Sequence, residues 1–143
     1  MKEEVTIICA YKVSKHKGTP GGNSVVQQEM RAMYKRNHPL ADKPRLAFDS
    51  DMADFSIAQQ NKGQEVFLFM DANTPLNSAE SNKFLSDAGL HDVASYKFPA
   101  STLPRTFQSG SQCIDVAACS KRALNWVLKF GYFPFFAHAL YDH

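Results

Sequence analysis

Hydrophobic and polar positions divide this chain into short segments whose period switches between two and 3.6. Val5-Thr6-Ile7-Ile8-Cys9-Ala10-Tyr11-Lys12-Val13 is rich in β-branched and aromatic side chains and predicts a strand. Side chains alternate along a strand, so Val5, Ile7, Cys9, Tyr11 and Val13 share one face. Ser14 to Gly22 carries Lys, His and Gly and ends in Thr19-Pro20-Gly21-Gly22, a loop pattern. Ser24 with Gln27 fits a capping box, and Val25, Val26, Met30, Met33 and Tyr34 then recur at helical spacing up to a stop before Pro39. A second helix starts near Pro44, with Phe48, Met52 and Phe55 on one face and Asp49, Asp51 and Asp54 off it. Lys62-Gly63 ends it.

Val66-Phe67-Leu68-Phe69-Met70 is apolar without alternation, the pattern of a strand covered on both faces. It breaks at Asp71-Ala72-Asn73-Thr74-Pro75. A third helix follows, capped by Asn77 or Ser78, anchored by Phe84 and Leu85 and ended by Gly89. Beyond it the pattern returns to strand and loop: Thr106-Phe107, a Ser-Gly-Ser turn at 109–111, then a strand from Cys113 to Cys119. Ala123–Phe130 alternates, with Leu124, Trp126, Leu128 and Phe130 on one face, and predicts a strand with a short helix as the alternative. No repeat or linker divides the chain, so 1–143 reads as a single domain.

Composition sets limits on this picture. With 143 residues, 44% hydrophobic and 21% charged, the chain has the make-up of a folded domain and not of a disordered one. A net charge of +2, with both signs spread along the chain, does not announce a nucleic-acid binder by itself. No apolar run approaches the ~18 residues of a membrane span, so no membrane partner is expected. The start of the sequence lacks a basic and then apolar secretory signal. Cys9, Cys113 and Cys119 have neither the number nor the spacing of a disulfide or zinc framework. The expectation is a reduced, intracellular protein, cytoplasmic or nuclear.

Three constellations carry candidate chemistry. Asp71-x-Asn73 leaves an apolar strand, where a carboxylate and an amide could bind Mg²⁺ or steer a water. The competing reading is an Asx-turn ahead of Pro75. Asp115 is a carboxylate inside an apolar strand, which implies a partner or an edge position, and the same face carries the small Cys113, Ala117 and Cys119. Asp142-His143 is an acid–imidazole pair. Lys12, Lys15, His16 and Lys17 read as a solvated loop that could also approach phosphates. Asp49-x-Asp51-x-x-Asp54 is no calcium loop, because Gly and Glu are missing from the required positions.

In order, Tyr11 on a strand, Asp71-x-Asn73, Thr106, Ile114-Asp115 and Asp142-His143 resemble the later part of the endonuclease/exonuclease/phosphatase superfamily, whose members include DNase I-like nucleases and abasic-site endonucleases. Phe84-Leu85 running into Gly89-Leu90-His91-Asp92 is similar to a stretch that follows the D-x-N motif there. The resemblance implies an α+β fold, a four-layer α/β/β/α sandwich, incomplete at its N-terminus. It implies that Asp71 activates the attacking water, Asn73 positions that water and the phosphate, and Tyr11 hydrogen-bonds the phosphate. His143 would contact the scissile phosphate with Asp115 fixing its tautomer, and Asp142 would face the metal. Mg²⁺ is the implied cofactor and nucleic acid the implied partner, DNA rather than RNA; basic Lys12–Lys17 and Lys35-Arg36 suit a polyanion and favour a nuclease over a phosphatase.

The chain departs from the pattern too. The family's metal-site Asn and its Gln-Glu pair should precede Tyr11, and Gln28-Glu29 falls after it in a predicted helix. Met70, Val116 and Tyr141 replace the frequent Gly, Tyr and Ser of the motifs. The expectation is therefore a partial domain with weak or no activity alone and an uncovered apolar sheet face through which it could associate. The alternative is a non-catalytic remnant that binds nucleic acid or a protein.

Overall fold

The computed structural model describes residues 3–15, 22–98, 106 and 113–132. Its elements run β1 (Val5–Tyr11), α1 (Val25–Lys35), α2 (Pro44–Asn61), β2 (Glu65–Asp71), α3 (Ala79–Asp87), β3 (Leu90–Asp92), α4 (Val93–Lys97) and β4 (Asp115–Ser120), followed by a 3₁₀ turn at Ala123–Trp126. The strands form one mixed sheet in the order β1-β2-β4-β3. β1 and β2 are parallel, which requires a long crossover, and α1 and α2 supply it. β4 runs antiparallel to both of its neighbours. The fold is thus α+β, as expected. Among the described residues there is one sheet.

α1, α3 and α4 start where side chains satisfy the first free N–H groups. Ser24 Oγ accepts from Gln27 N at 3.3 Å while Gln27 Oε1 accepts from Ser24 N at 3.2 Å, the expected capping box. Pro44 opens α2 from a position where its missing N–H costs nothing. Ser78, not Asn77, caps α3 by accepting from Ser81 N at 3.1 Å. Asp92 accepts from Ala94 N and Ser95 N and so starts α4, a short helix where strand and loop were expected.

The core lies between the sheet and α2 and α3. Val66 and Leu68 on the central strand are fully buried, with Met70, Phe84, Leu85, Ala88 and Leu90 around them. Ser56 Oγ and Gln60 Nε2 both donate to the Ala88 carbonyl at 2.9 Å, drawing α2 against the end of α3. Two glycines end helices with positive φ, Gly63 at +84° and Gly89 at +64°. A Cβ at Gly63 would meet nothing within 4 Å, whereas one at Gly89 would sit 3.0 Å from Ile57 Cδ1 and 3.2 Å from Gln60 Nε2. Gly63→Ala should therefore lose about 1–2 kcal/mol to backbone strain alone. Gly89→Ala should lose that plus about 0.5–1.5 kcal/mol as Gln60 is pushed off Ala88. Urea unfolding midpoints of the two variants check the order.

Three expectations change. β2 is not covered on both faces: Val66, Leu68 and Met70 are buried towards the helices, while Phe69 stays 48% exposed on the other side. Phe55 does not join the α2 core, which Ala47, Ala53 and Ser56 occupy instead; it lines a cleft beside β1 with Phe48 and Met52. Residues 123–130 do not form a strand. Ala123 and Leu124 both bury against Ala117 and Cys119, which the alternation of a strand would not allow; the short-helix alternative holds over Ala123–Trp126. Among the described residues, no helix is long and apolar enough to cross a membrane.

Candidate functional site

The sheet register places Tyr11 opposite Asp71, and Asp71 opposite Asp115. Residues directly opposite on neighbouring strands project to the same face. Three of the candidate residues, far apart in sequence, thus form one row across the ends of β1, β2 and β4. Tyr11 is 53% exposed, and Asp71 and Asp115 are half-buried.

Asp71 ends β2, and the turn beyond it is tightly specified. Asn73 N donates to Asp71 Oδ1 at 3.2 Å, Asn73 takes a φ of +46°, and its Nδ2 donates to the Lys12 carbonyl at 2.8 Å. The Asx-turn is therefore real. It does not compete with a site role, because it is what fixes Asn73 one step beyond Asp71. Lys12 N donates to the Asp71 carbonyl at 2.9 Å and Ala72 N to the Ile114 carbonyl at 3.0 Å, so the turn is held from both flanking strands.

Asp115 starts β4, a central strand, so the edge position that would have excused its charge is not what it has. Its neighbour across the ladder is a like charge. Burial pushes its carboxyl above the ordinary range, the Thr106 hydroxyl opposes this, and the charge on Asp71 adds to it. Thr106 Oγ1 also accepts from Ile114 N at 2.9 Å and Asp115 N at 3.1 Å, holding the start of the strand. A cleft of about 470 Å³ opens beside the two carboxylates, lined also by Cys9, Phe69, Phe130 and Tyr132. Tyr132 donates to the Asp115 carbonyl at 3.3 Å and stacks edge-on against Phe130, with ring centroids 5.2 Å apart. Tyr132 was not singled out from the sequence, and Phe130 entered there only as part of an alternating apolar row.

Behind the row lies an ionic network. Lys12, expected in a solvated basic loop, is 2% exposed. As an even-numbered residue following β1 it turns towards the helices, where Nζ donates to Asp49 Oδ2 at 2.7 Å and Glu80 Oε1 at 2.9 Å. Arg45 donates to Glu80 at 2.7 Å, to Thr74 Oγ1 and to the Val13 carbonyl, and Lys15 reaches Glu80 at 2.9 Å. Partial burial would raise Glu80, but hydrogen bonds from Lys12, Arg45 and Lys15 outweigh it and hold the carboxyl well below its usual range. Burial raises Asp49 against the pull of Lys12. The network clamps Thr74, and through it the turn that presents Asn73.

Asp142 and His143 lie outside the described residues, as do His16, Lys17 and the turn at 109–111. Among the described residues no third His, Cys, Asp or Glu joins Asp71 and Asp115 as a metal cluster. The pair on its own still suits Mg²⁺, which takes one or two carboxylates and completes its shell with water and phosphate. A hard cation would also relieve the like-charge repulsion between the two. Compared with known protein families, curated proteins and solved structures, the chain matches none.

Proposed function

We propose that this chain carries part of a Mg²⁺-dependent phosphoesterase site, of the nuclease type, within a four-layer α/β/β/α sandwich. The observation that carries the reading is the row Tyr11–Asp71–Asp115 with Asn73 held one step beyond it. The sandwich is supported by a sheet with helices against one face and apolar Ile7 and Phe69 open on the other. Asp71 orients the attacking water and accepts its proton, and Asn73 holds the phosphate against it. Tyr11 donates to a phosphate oxygen from the open end of the row. Asp115, with its raised proton affinity, is suited to hold an imidazolium, the role that His143 would complete. Mg²⁺ bound at the pair would neutralise charge on the phosphate oxygens.

Nucleic acid, DNA rather than RNA, is the proposed substrate. Lys12 no longer supports a polyanionic substrate, since its charge is spent inside the fold; Lys35 and Arg36 remain. With two carboxylates to hold the ion among the described residues, the 143-residue chain should bind Mg²⁺ weakly and turn over slowly. Titrating MgCl₂ against the isotope-labelled protein should shift the backbone resonances of Asp71, Asn73 and Asp115 with half-saturation in the millimolar range. Slow hydrolysis of a phosphodiester should follow the same curve and vanish with EDTA. Absence of shifts at these residues under excess Mg²⁺ would overturn the reading in favour of a non-catalytic binding domain, for which the open apolar face is the supporting observation.

A further inference from the structure

We infer that β1 is a self-pairing edge, and that two copies of this chain join through it into one continuous sheet. β1 ends the strand order, and among the described residues β2 is its one strand neighbour. Its outer edge therefore presents backbone N–H and C=O groups, which only another strand satisfies in full. Natural edges are usually blunted by Lys, Pro or a bulge. Val5–Tyr11 has no charge, no proline and no bulge against β2.

The margin around that edge is apolar on the open face and largely apolar on the other. On the open face Ile7 is 67% exposed, with Val5 and Tyr11 beside it. On the helix side a cleft of about 480 Å³ is lined by Ile8, Val25, Phe48, Met52 and Phe55, with Glu29, Arg36, His38 and Asp51 also on its walls. A strand that fits must therefore be apolar on the open face and mostly uncharged on the helix side. β1 itself has that pattern, with Val5, Ile7, Cys9 and Tyr11 on one side and Thr6, Ile8 and Ala10 on the other.

Charge selects the orientation. Exposed Glu3 and Glu4 precede β1; of the lysines that follow it, Lys12 is buried and paired, and Lys15 has a side chain 63% exposed. Parallel pairing would place Glu3 and Glu4 of the two copies side by side, whereas antiparallel pairing about a two-fold axis at Ile8 separates them and sets each at the end of the other strand that carries Lys15. This axis is also the one that pairs all seven residues. It sets Val5 opposite Tyr11, and Ile7 opposite Cys9, of the second copy.

Sedimentation equilibrium of the full chain should show a concentration-dependent dimer with a dissociation constant on the order of micromolar. Ile7→Lys, at an exposed site, should weaken it at least tenfold while leaving unchanged the circular dichroism spectrum and the urea midpoint measured well below the dissociation constant. Ile7→Cys under mild copper-catalysed air oxidation should give a covalent dimer whose peptide map joins position 7 to Cys9. A chain that stays monomeric throughout the micromolar range overturns the inference, as does a dimer indifferent to Ile7→Lys. A monomer that instead captures a synthetic extended peptide on β1 also overturns it, and assigns the edge to another protein. The inference involves no catalysis, so it stands or falls separately from the proposed phosphoesterase site.

Discussion

Lys12→Met is expected to destabilise the fold by about 3–5 kcal/mol, the usual cost of removing one partner from a buried ion pair. A domain of this kind has only about 5–15 kcal/mol in total, so the variant should be near the edge of folding. Methionine keeps the apolar stem of the lysine, so the loss reports the charge and not the packing. The damage falls on Asp49. Its side chain is 17% exposed, its Oδ2 bonds Lys12, and its Oδ1 is buried without a hydrogen-bond partner among the described residues. Glu80 suffers less, since Arg45 and Lys15 still reach it.

The pH dependence gives this prediction a sign that a packing defect would not share. Glu80 has a folded pKa below its ordinary 4.5, so it contributes stability at neutral pH that is lost as the pH falls below that value. Asp49 has a folded pKa above its ordinary 3.8, so its penalty is present at neutral pH and is relieved on acidification. Wild-type stability should therefore hold level or rise slightly below neutrality, then fall once the pH drops below 4.5, where Glu80 binds a proton in the unfolded chain but not yet in the folded one. Without Lys12 the burial of Asp49 is opposed only by the charge of Arg45, and its proton binds at higher pH still. The cost of Lys12→Met should shrink as the pH is lowered, and Asp49→Leu added to Lys12→Met should recover stability at neutral pH. Denaturant unfolding of both variants across pH decides it. A loss that is constant with pH and unrecovered in the double variant would show that the network contributes only by filling space.

The sequence carried the local structure well and the long-range pairing poorly, for identifiable reasons. Ser24, Gln27, Pro44, Gly63 and Gly89 act within a few residues of their own backbone, so the ends of the helices could be read from them. Alternation in β1 placed Tyr11 on one face and by the same rule sent Lys12 to the other, but the run of Lys and His after it suggested a solvated loop. Phe67 and Phe69 made β2 look covered on both sides, because an aromatic on an open face has the same letter as one in a core. Residues 123–130 alternate as a strand does, yet alternation names no hydrogen-bonding partner, and none of the described strands supplies one. The site row is the extreme case. The D-x-N spacing located Asp71 and Asn73, but the adjacency of Asp71 and Asp115 depends on strand order and register, which bring together residues that no local pattern connects.

Asp71→Asn separates the two roles that this residue fills. The substituted amide oxygen can still accept from Asn73 N, so the turn, the φ of Asn73 and the Lys12 contact should survive with the urea midpoint little changed. What disappears is a negative charge. Asp115 loses the repulsion that adds to its raised proton affinity, so its carboxyl should titrate lower than in wild type while remaining above the ordinary value, because burial is the larger cause. If Asp71 also orients and deprotonates the attacking water, the Mg²⁺-dependent rate should drop by about 10²–10⁴-fold, the usual contribution of a positioned base. The Mg²⁺-induced shifts at Asp115 should weaken in parallel, since a single carboxylate then remains to hold the ion. Carboxyl-carbon NMR titration of Asp115 reads the electrostatic arm, and hydrolysis with and without EDTA reads the chemical one. A lowered Asp115 pKa with an unchanged rate would reduce Asp71 to a turn residue that lies beside a charge. An unchanged Asp115 pKa would mean that the two carboxylates are not neighbours in solution, and the row on which the functional reading depends would be lost.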